Sequence, residues 1–268
     1  AQPGTLREMV PELRDDVRIV SGVMAGLGSI GFGGRLVTSW LNTFARASYL
    51  FAWLGSPMVF GSAILFRRSD LDAAGGMRSV ADFIAEDVAI ASRVKFNTNR
   101  RIGSRREPIY QNVGPVTMAA FWSRHVRWRR LICSKQPLVV LLEPFLWSWP
   151  VGLMGAIGFW MRGVPLEVFL PLHLLTWLTC DLVMIAKLQE RRVGIRTALV
   201  CLLRELLIIP IWVHALAGNT VSWRGKQIKL TKGGKIDWEA GREVAEQDDC
   251  DRRREEVCPD VWTTTGVD

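Results

Sequence analysis

From Pro137 to Gly218 the chain is apolar almost without interruption, and this block limits what the whole can fold into. A bilayer span takes roughly 20 consecutive apolar residues. Pro137 to Met161 and Val164 to Ala186 each supply such a run, parted by Arg162-Gly163. They carry few acids, Glu143 in the first and Glu167 and Asp181 in the second, and both are expected to be spans. Thr197 to Ala217 is shorter and contains Arg204-Glu205, a costly pair within hydrocarbon. That segment is expected to lie in the interface or to re-enter, with Asp181, Arg204 and Glu205 pairing helices. The alternative, a buried helical core of a soluble protein, has to hide two long apolar runs side by side.

Twelve tryptophans stand against two tyrosines. Trp147, Trp149, Trp160, Trp177 and Trp212 fall in the apolar block, where indole rings suit a membrane interface. The formal charge is +8. Its arginines and lysines cluster beside the block (Arg124, Arg127, Arg129, Arg130, Lys135) and within it (Lys187, Arg191, Arg192, Arg196). This placement fits an anionic leaflet or a phosphorylated substrate. With no zinc-finger, RRM or basic-zipper pattern, nucleic acid is not an expected partner. Five cysteines without a CxxC pair support neither a disulfide framework nor a zinc site, and read as buried or inert thiols in a reducing compartment.

Before the block, strands alternate with helices, the pattern of an α/β domain. The periodicity predicts a short helix over 4–15, a buried strand over 17–24 and a helix over 35–54. A strand over 58–66, one helical turn at 70–74, a helix over 80–94 and a last strand over 107–113 complete it. Gly26-Leu27-Gly28-Ser29-Ile30-Gly31 matches GxGxxG letter for letter. No acid falls between Asp16 and Asp70, so a dinucleotide site is not expected. After the block, 219–235 reads as a β-hairpin turning at Gly225 or Gly233-Gly234, and 239–268 as a disordered tail.

Chemistry concentrates in three places. Gly75-Gly76 marks backbone that takes positive φ. Glu86-Asp87 offers a carboxylate pair, although a bare pair is often just a solvated helix face. Arg124-His125-Val126-Arg127-Trp128 sets two guanidiniums on one helical face beside an indole, in an amphipathic segment over 116–136. The bland reading of these arginines is a juxtamembrane cluster binding lipid phosphate.

Together with Ser62-Ala63-Ile64-Leu65-Phe66-Arg67-Arg68-Ser69-Asp70-Leu71, Ile84-Ala85-Glu86-Asp87 and Gly218-Asn219-Thr220-Val221-Ser222-Trp223-Arg224-Gly225, these motifs form an ordered series. Over about residues 1–235 the chain resembles the membrane-bound inverting GT-A glycosyltransferases, and within them the ceramide glucosyltransferases. The resemblance implies a GT-A fold followed by transmembrane helices. It implies transfer of a hexose, glucose from a UDP-glucose donor, with inversion onto the hydroxyl of a ceramide-like lipid at the cytosolic membrane face. Asp87 maps to the catalytic base, with Glu86 beside it. Arg124, Arg127, Trp128, Gly75 and Gly76 map to substrate and diphosphate binding.

The family also holds a divalent metal, Mg or Mn, on a DxD motif. No DxD stands where the family has one: Asp15-Asp16 is adjacent, and Asp70-Leu71-Asp72 follows the strand. No metal ligand is therefore assigned in this chain. Ala1-Gln2-Pro3-Gly4-Thr5-Leu6 reads as the middle of a domain. The expectation is a partial GT-A domain over 1–115 that lacks the donor-binding half and is inactive alone. Alternatives are a glycosyltransferase of hopanoid or other lipids, a processive polysaccharide synthase, and a truncated membrane anchor or transport subunit.

Overall fold

The computed structural model describes residues 4–55, 58–98, 101–135, 137–189, 193–223 and 226–238. The expected turn at Gly225, the basic pair Arg191-Arg192 and the tail over 239–268 lie outside the described residues. A short helix α1 (Thr5–Met9) leads into strand β1 (Val17–Ile30) and helix α2 (Gly31–Trp53). Strand β2 (Ile64–Phe66), helices α3 (Arg68–Ala73) and α4 (Glu86–Thr98), and strand β3 (Arg101–Pro115) follow. The sheet runs β2-β1-β3, with β1 antiparallel to β2 and parallel to β3. The α/β expectation for residues 1–115, with at least three strands, is met.

The boundaries moved for physical reasons. The GxGxxG residues end β1 and, at Gly31, open α2, with no loop between strand and helix. A Cβ at Gly22 would come 2.5 Å from Ile109 Cδ1, and one at Gly26 would come 3.1 Å from Thr38 Cα. These glycines let β3 and α2 press against the strand. Asn42 completes the contact from the helix: Gly26 N–H donates to Asn42 Oδ1 (2.7 Å), and Asn42 Nδ2 donates back to the Gly26 carbonyl (3.2 Å). Of the strand expected over 58–66, only Ile64–Phe66 pairs with β1. The helix expected over 80–94 is a 3-10 turn at Met77–Val80 followed by α4.

Helix α5 (Met118–Lys135) is the expected amphipathic segment. The apolar block then differs from its reading as a first long span. Pro137 to Met161 is broken into α6 (Pro137–Leu142), a 3-10 turn at Glu143–Leu146 and α7 (Ser148–Trp160). Pro144 sits in the break, and Glu143 is drawn out to pair with buried Arg129. Among the described residues, helices α8 (Leu166–Gln189) and α9 (Ile195–Leu216) are the two that are long and apolar enough to cross a membrane. Strands β4 (Thr220–Trp223) and β5 (Lys226–Lys229) form the expected hairpin, and Gly233 and Gly234 take φ of 87° and 78° in a second turn.

The block's tryptophans divide. Trp160 and Trp149 are exposed, whereas Trp147 is buried edge-on against Trp212, whose Nε1–H donates to the Val140 carbonyl (3.0 Å). The charges within α8 and α9 face α2. Arg204 Nη2 donates to Asp181 Oδ2 (2.6 Å) and to Glu205, and its Nη1 to Thr43 Oγ1 (2.5 Å). Arg46 Nη1 reaches Asp181 Oδ1 at 2.9 Å. The cluster thus pairs helices, as expected, and the partner the sequence did not reveal is α2. A buried ion whose partner is removed costs about 3–5 kcal/mol. Asp181→Ala is therefore expected to destabilise the protein by that order in a denaturation series in detergent, whereas a polar substitution at exposed Leu6 costs little.

Candidate functional site

Helix α5 organises the site because its two faces meet different partners. Phe121, His125 and Arg129, four residues apart, are buried. His125 lies among rings, its centroid 4.2 Å from Trp40, 4.3 Å from Phe121 and 5.6 Å from Trp128. Its Nδ1–H donates to the Phe121 carbonyl (2.7 Å). Arg129 fits between Trp40 and Trp147, 5.8 and 5.4 Å from their ring centroids, and pairs with Glu143. Burial pushes its guanidinium down to about 10.

Arg124, Arg127 and Arg130, three residues apart, form another stripe. Arg124 lies over the Trp128 ring (4.8 Å) and donates to Gln111 Oε1 on β3 (3.4 Å). Arg127 lies over the Trp223 ring (4.6 Å) and donates to the Ser222 carbonyl (3.4 Å). Arg130 belongs to the basic cluster expected beside an anionic leaflet or a phosphorylated substrate. Instead it donates to the carbonyls of Thr220 and His214 (3.2 Å to the latter), so it fastens the hairpin and the end of α9 to α5. Among the described residues none of the three pairs with a carboxylate, and the Nε of each has no acceptor. Burial lowers all three below the usual guanidinium value, and Arg127 adds a like-charge push on Arg124.

Asp87 stands in the first turn of α4, half-buried, with exposed Glu86 beside it. Its Oδ1 accepts from Val88 N–H (2.7 Å), a bond at the helix start that fixes the carboxylate. Its Oδ2 looks toward Gly61, where an added Cβ would come within 3.1 Å. Lys135, at the end of α5, feels the Asp87 charge: burial lowers its ammonium pKa, and Asp87 works against that. Lys135 and Lys235 flank the Phe83 ring at 5.5 and 5.6 Å. The C-terminal segment closes this corner. Gly233 N–H donates to the Ser134 carbonyl (2.8 Å), Ile236 N–H to the Asp82 carbonyl (2.7 Å), and Trp238 Nε1–H to Asp82 Oδ1 (2.9 Å).

The predicted residues therefore fall into two groups. Asp87 lies by the C-terminal end of α5, and Arg124 and Arg127 lie near its middle. Lys135 is eight residues past Arg127, about 12 Å along the axis. Gly75 and Gly76 adopt φ of 96° and 67° and end α3, with Gly76 N–H donating to the Leu71 carbonyl (2.9 Å). Gly61, Gln111, Lys135 and Trp223 were not singled out for roles. Only Trp223 left a signal, its place in the tail motif.

The Asp70-Leu71-Asp72 carboxylates do not fit a divalent metal. Asp70 is buried against Arg18 (3.0 Å) and Asp72 pairs with exposed Arg68 (3.7 Å). Among the described residues no group of three His, Cys, Asp or Glu side chains could hold an ion.

These features describe an α/β domain with an acidic helix start, docked on an arginine-bearing amphipathic helix and on two helices apolar enough to enter a membrane. The chain belongs to glycosyl transferase family 21, whose family model matches residues 1–236. It is similar to ceramide glucosyltransferase 1 of Caenorhabditis elegans, at 28% identity over 201 residues, covering 73% of this chain and 42% of the relative. It is also similar to the ceramide glucosyltransferase of Candida albicans, at 23% identity over 290 residues, covering 84% of this chain and 53% of the relative. The chain thus spans about half the length of these curated relatives. No solved structure matches it.

His125 gives the site a measurable pH dependence. Burial, aided by the charges of Arg124, Arg129 and Arg127 and opposed by the Phe121 bond, lowers its pKa from 6.5 to about 3. Between those values the unfolded chain binds a proton that the folded chain refuses, so stability rises with pH there. This contribution is complete above about pH 6.5 and is lost as pH falls toward 3. His125→Asn is expected to flatten the pH dependence of the thermal midpoint across that window. An unchanged slope would show that other groups carry it.

Proposed function

We propose that this chain is the acceptor-side part of a lipid glycosyltransferase that moves a hexose, glucose from UDP-glucose, with inversion onto a ceramide-like hydroxyl. The observation that carries this reading is the uncompensated arginine stripe of α5. Within it Arg124 and Arg127, partly desolvated and without a carboxylate partner among the described residues, form a ready receptor for phosphoryl oxygens, since Arg donors are planar and fixed in charge. The curated relatives, by their printed names, are ceramide glucosyltransferases, which supports the lipid acceptor.

In the proposed reaction the acceptor oxygen attacks the anomeric carbon as the bond from that carbon to the diphosphate oxygen breaks. The hydroxyl proton passes to Asp87, and the negative charge departs with the nucleoside diphosphate. Asp87 suits the base: it is held at a helix start, has one oxygen directed at a glycine-lined space, and has the ammonium of Lys135 near it. Arg124 and Arg127 take the growing charge on the leaving group. Trp128 and Trp223 hold these guanidiniums flat by stacking. Asp87→Asn in the full-length enzyme is expected to abolish nearly all turnover while donor affinity is largely kept, because a base acts on the transition state. Arg127→Ala is expected to lower kcat by roughly 10²–10³-fold, whereas Arg130→Ala lowers the thermal midpoint. Equal loss of donor affinity and rate in Asp87→Asn would make its role structural.

The membrane arrangement is proposed from exposed apolar surface. Helices α7 and α8 form a hairpin whose far end carries exposed Leu153, Ile157, Trp160, Met161, Val168 and Leu172. Helix α9 exposes Ile195, Leu199, Leu202, Leu206, Ile209, Val213 and Leu216, a stripe at alternating spacings of four and three along its whole length. Its opposite side bonds to α2 through Ser39 and Thr43 and to α5 through Trp122, whose Nε1–H donates to His214 Nδ1 (2.8 Å). One apolar face with both ends tied to the sheet-bearing part is the pattern of a helix lying in the interface plane. The sheet and the C-terminal hairpin then share the cytosolic side. A cysteine at Gln227, in a background without other cysteines, is expected to be labelled in sealed vesicles only from the side that admits UDP-glucose. Labelling from the other face would show that α9 crosses.

A further inference from the structure

Away from the α5 arginines, a cavity of about 210 Å³ opens where the first turns of α2 and α9 meet the last turn of α8. One water needs roughly 10–15 Å³ of such space, so a polyatomic group fits. The lining includes Arg35 and Thr38 from α2, Arg196 and Thr197 from α9, Ser29 from the end of β1, and Gln189. Neither α2 nor α9 has a side-chain cap at its start, so the positive ends of both helix dipoles are left uncompensated beside the cavity. Among the described residues neither Arg35 nor Arg196 pairs with a carboxylate. Thr38 supplies an independent sign of a missing ligand. It is 4% exposed, and its Oγ1 has no hydrogen-bond partner. A buried hydroxyl without a partner is costly, and within a helix it would ordinarily bond back to a carbonyl one turn earlier.

We propose that this cavity binds a phosphate-bearing anionic group, with Arg35 and Arg196 as the charged clamp and Thr38 as a buried donor. The group is carried either on a membrane lipid headgroup or on a soluble phosphate. Its place favours the lipid. The exposed apolar residues of α8 run from Leu166 to Val183, and the cavity begins at Ile185. Arg196 adjoins Ile195, which is 73% exposed at the start of the α9 apolar stripe. A guanidinium at the border of an apolar surface lies where headgroup phosphates lie. The lipid source rests on the interfacial reading of α9. The anion site itself does not, and its test uses no transferase activity.

The test is the thermal midpoint of the full chain in neutral detergent at low ionic strength. The probes are dioleoyl phosphatidic acid, with phosphatidylcholine as control, and inorganic phosphate. Phosphatidic acid is expected to raise the midpoint by roughly 2–4 °C over the phosphatidylcholine control. Arg35→Ala with Arg196→Ala, both exposed and so compatible with folding, is expected to abolish the rise, and Thr38→Val to reduce it. A rise with phosphatidic acid alone assigns a lipid ligand, and a rise with inorganic phosphate assigns a soluble one. No rise with either probe, or a rise undiminished in the double variant, overturns the proposal.

Discussion

The buried ion cluster around Arg204 is the interaction on which the arrangement of layers depends. Its guanidinium bonds to Asp181 of α8, to Glu205 of its own helix and to Thr43 of α2, while Arg46 of α2 takes the other oxygen of Asp181. Helix α2 is in turn bonded to β1 through Asn42 and Gly26. One side of α2 therefore carries the sheet and the other the apolar helices. Apolar contact alone leaves the rotation and sliding of helices weakly specified, whereas buried charges have few satisfying geometries. Such a cluster adds little net stability over apolar packing, yet it is costly to break. Its effect here is to fix how the sheet-bearing domain sits on the long apolar helices.

The sequence made the α/β alternation, the amphipathic α5 and the tail hairpin legible because each rests on local periodicity. The first apolar run misled because hydropathy does not register Pro144 or the pull of Arg129 on Glu143. The GxGxxG letters alone are ambiguous, since glycines that admit a helix to a strand look the same as glycines that admit a phosphate; the missing acid after Asp16 is what set them aside. The fastening role of Arg130 left no local signal because its acceptors, the carbonyls of His214 and Thr220, lie some 84 and 90 positions away. Asp87 and the arginines could be picked out by motif, but no spacing rule shows that they address different stretches of one helix.

The corner around Asp87 has a peculiar construction. Its floor is the start of α4 and its side is the end of α5, but its closure is the last described segment. Gly233, Ile236 and Trp238 bond to Ser134 and Asp82, and a Cβ at Gly234 would press on Lys135 at 2.9 Å. The glycine turn is needed for that approach. During synthesis, Asp87 and the arginine helix emerge well before these closing residues, with the whole apolar block between them. The corner consequently cannot be completed until α7, α8 and α9 have been made and the chain has returned. Order along the chain thus acts as a timing step, and the corner is the last part of the described fold to close.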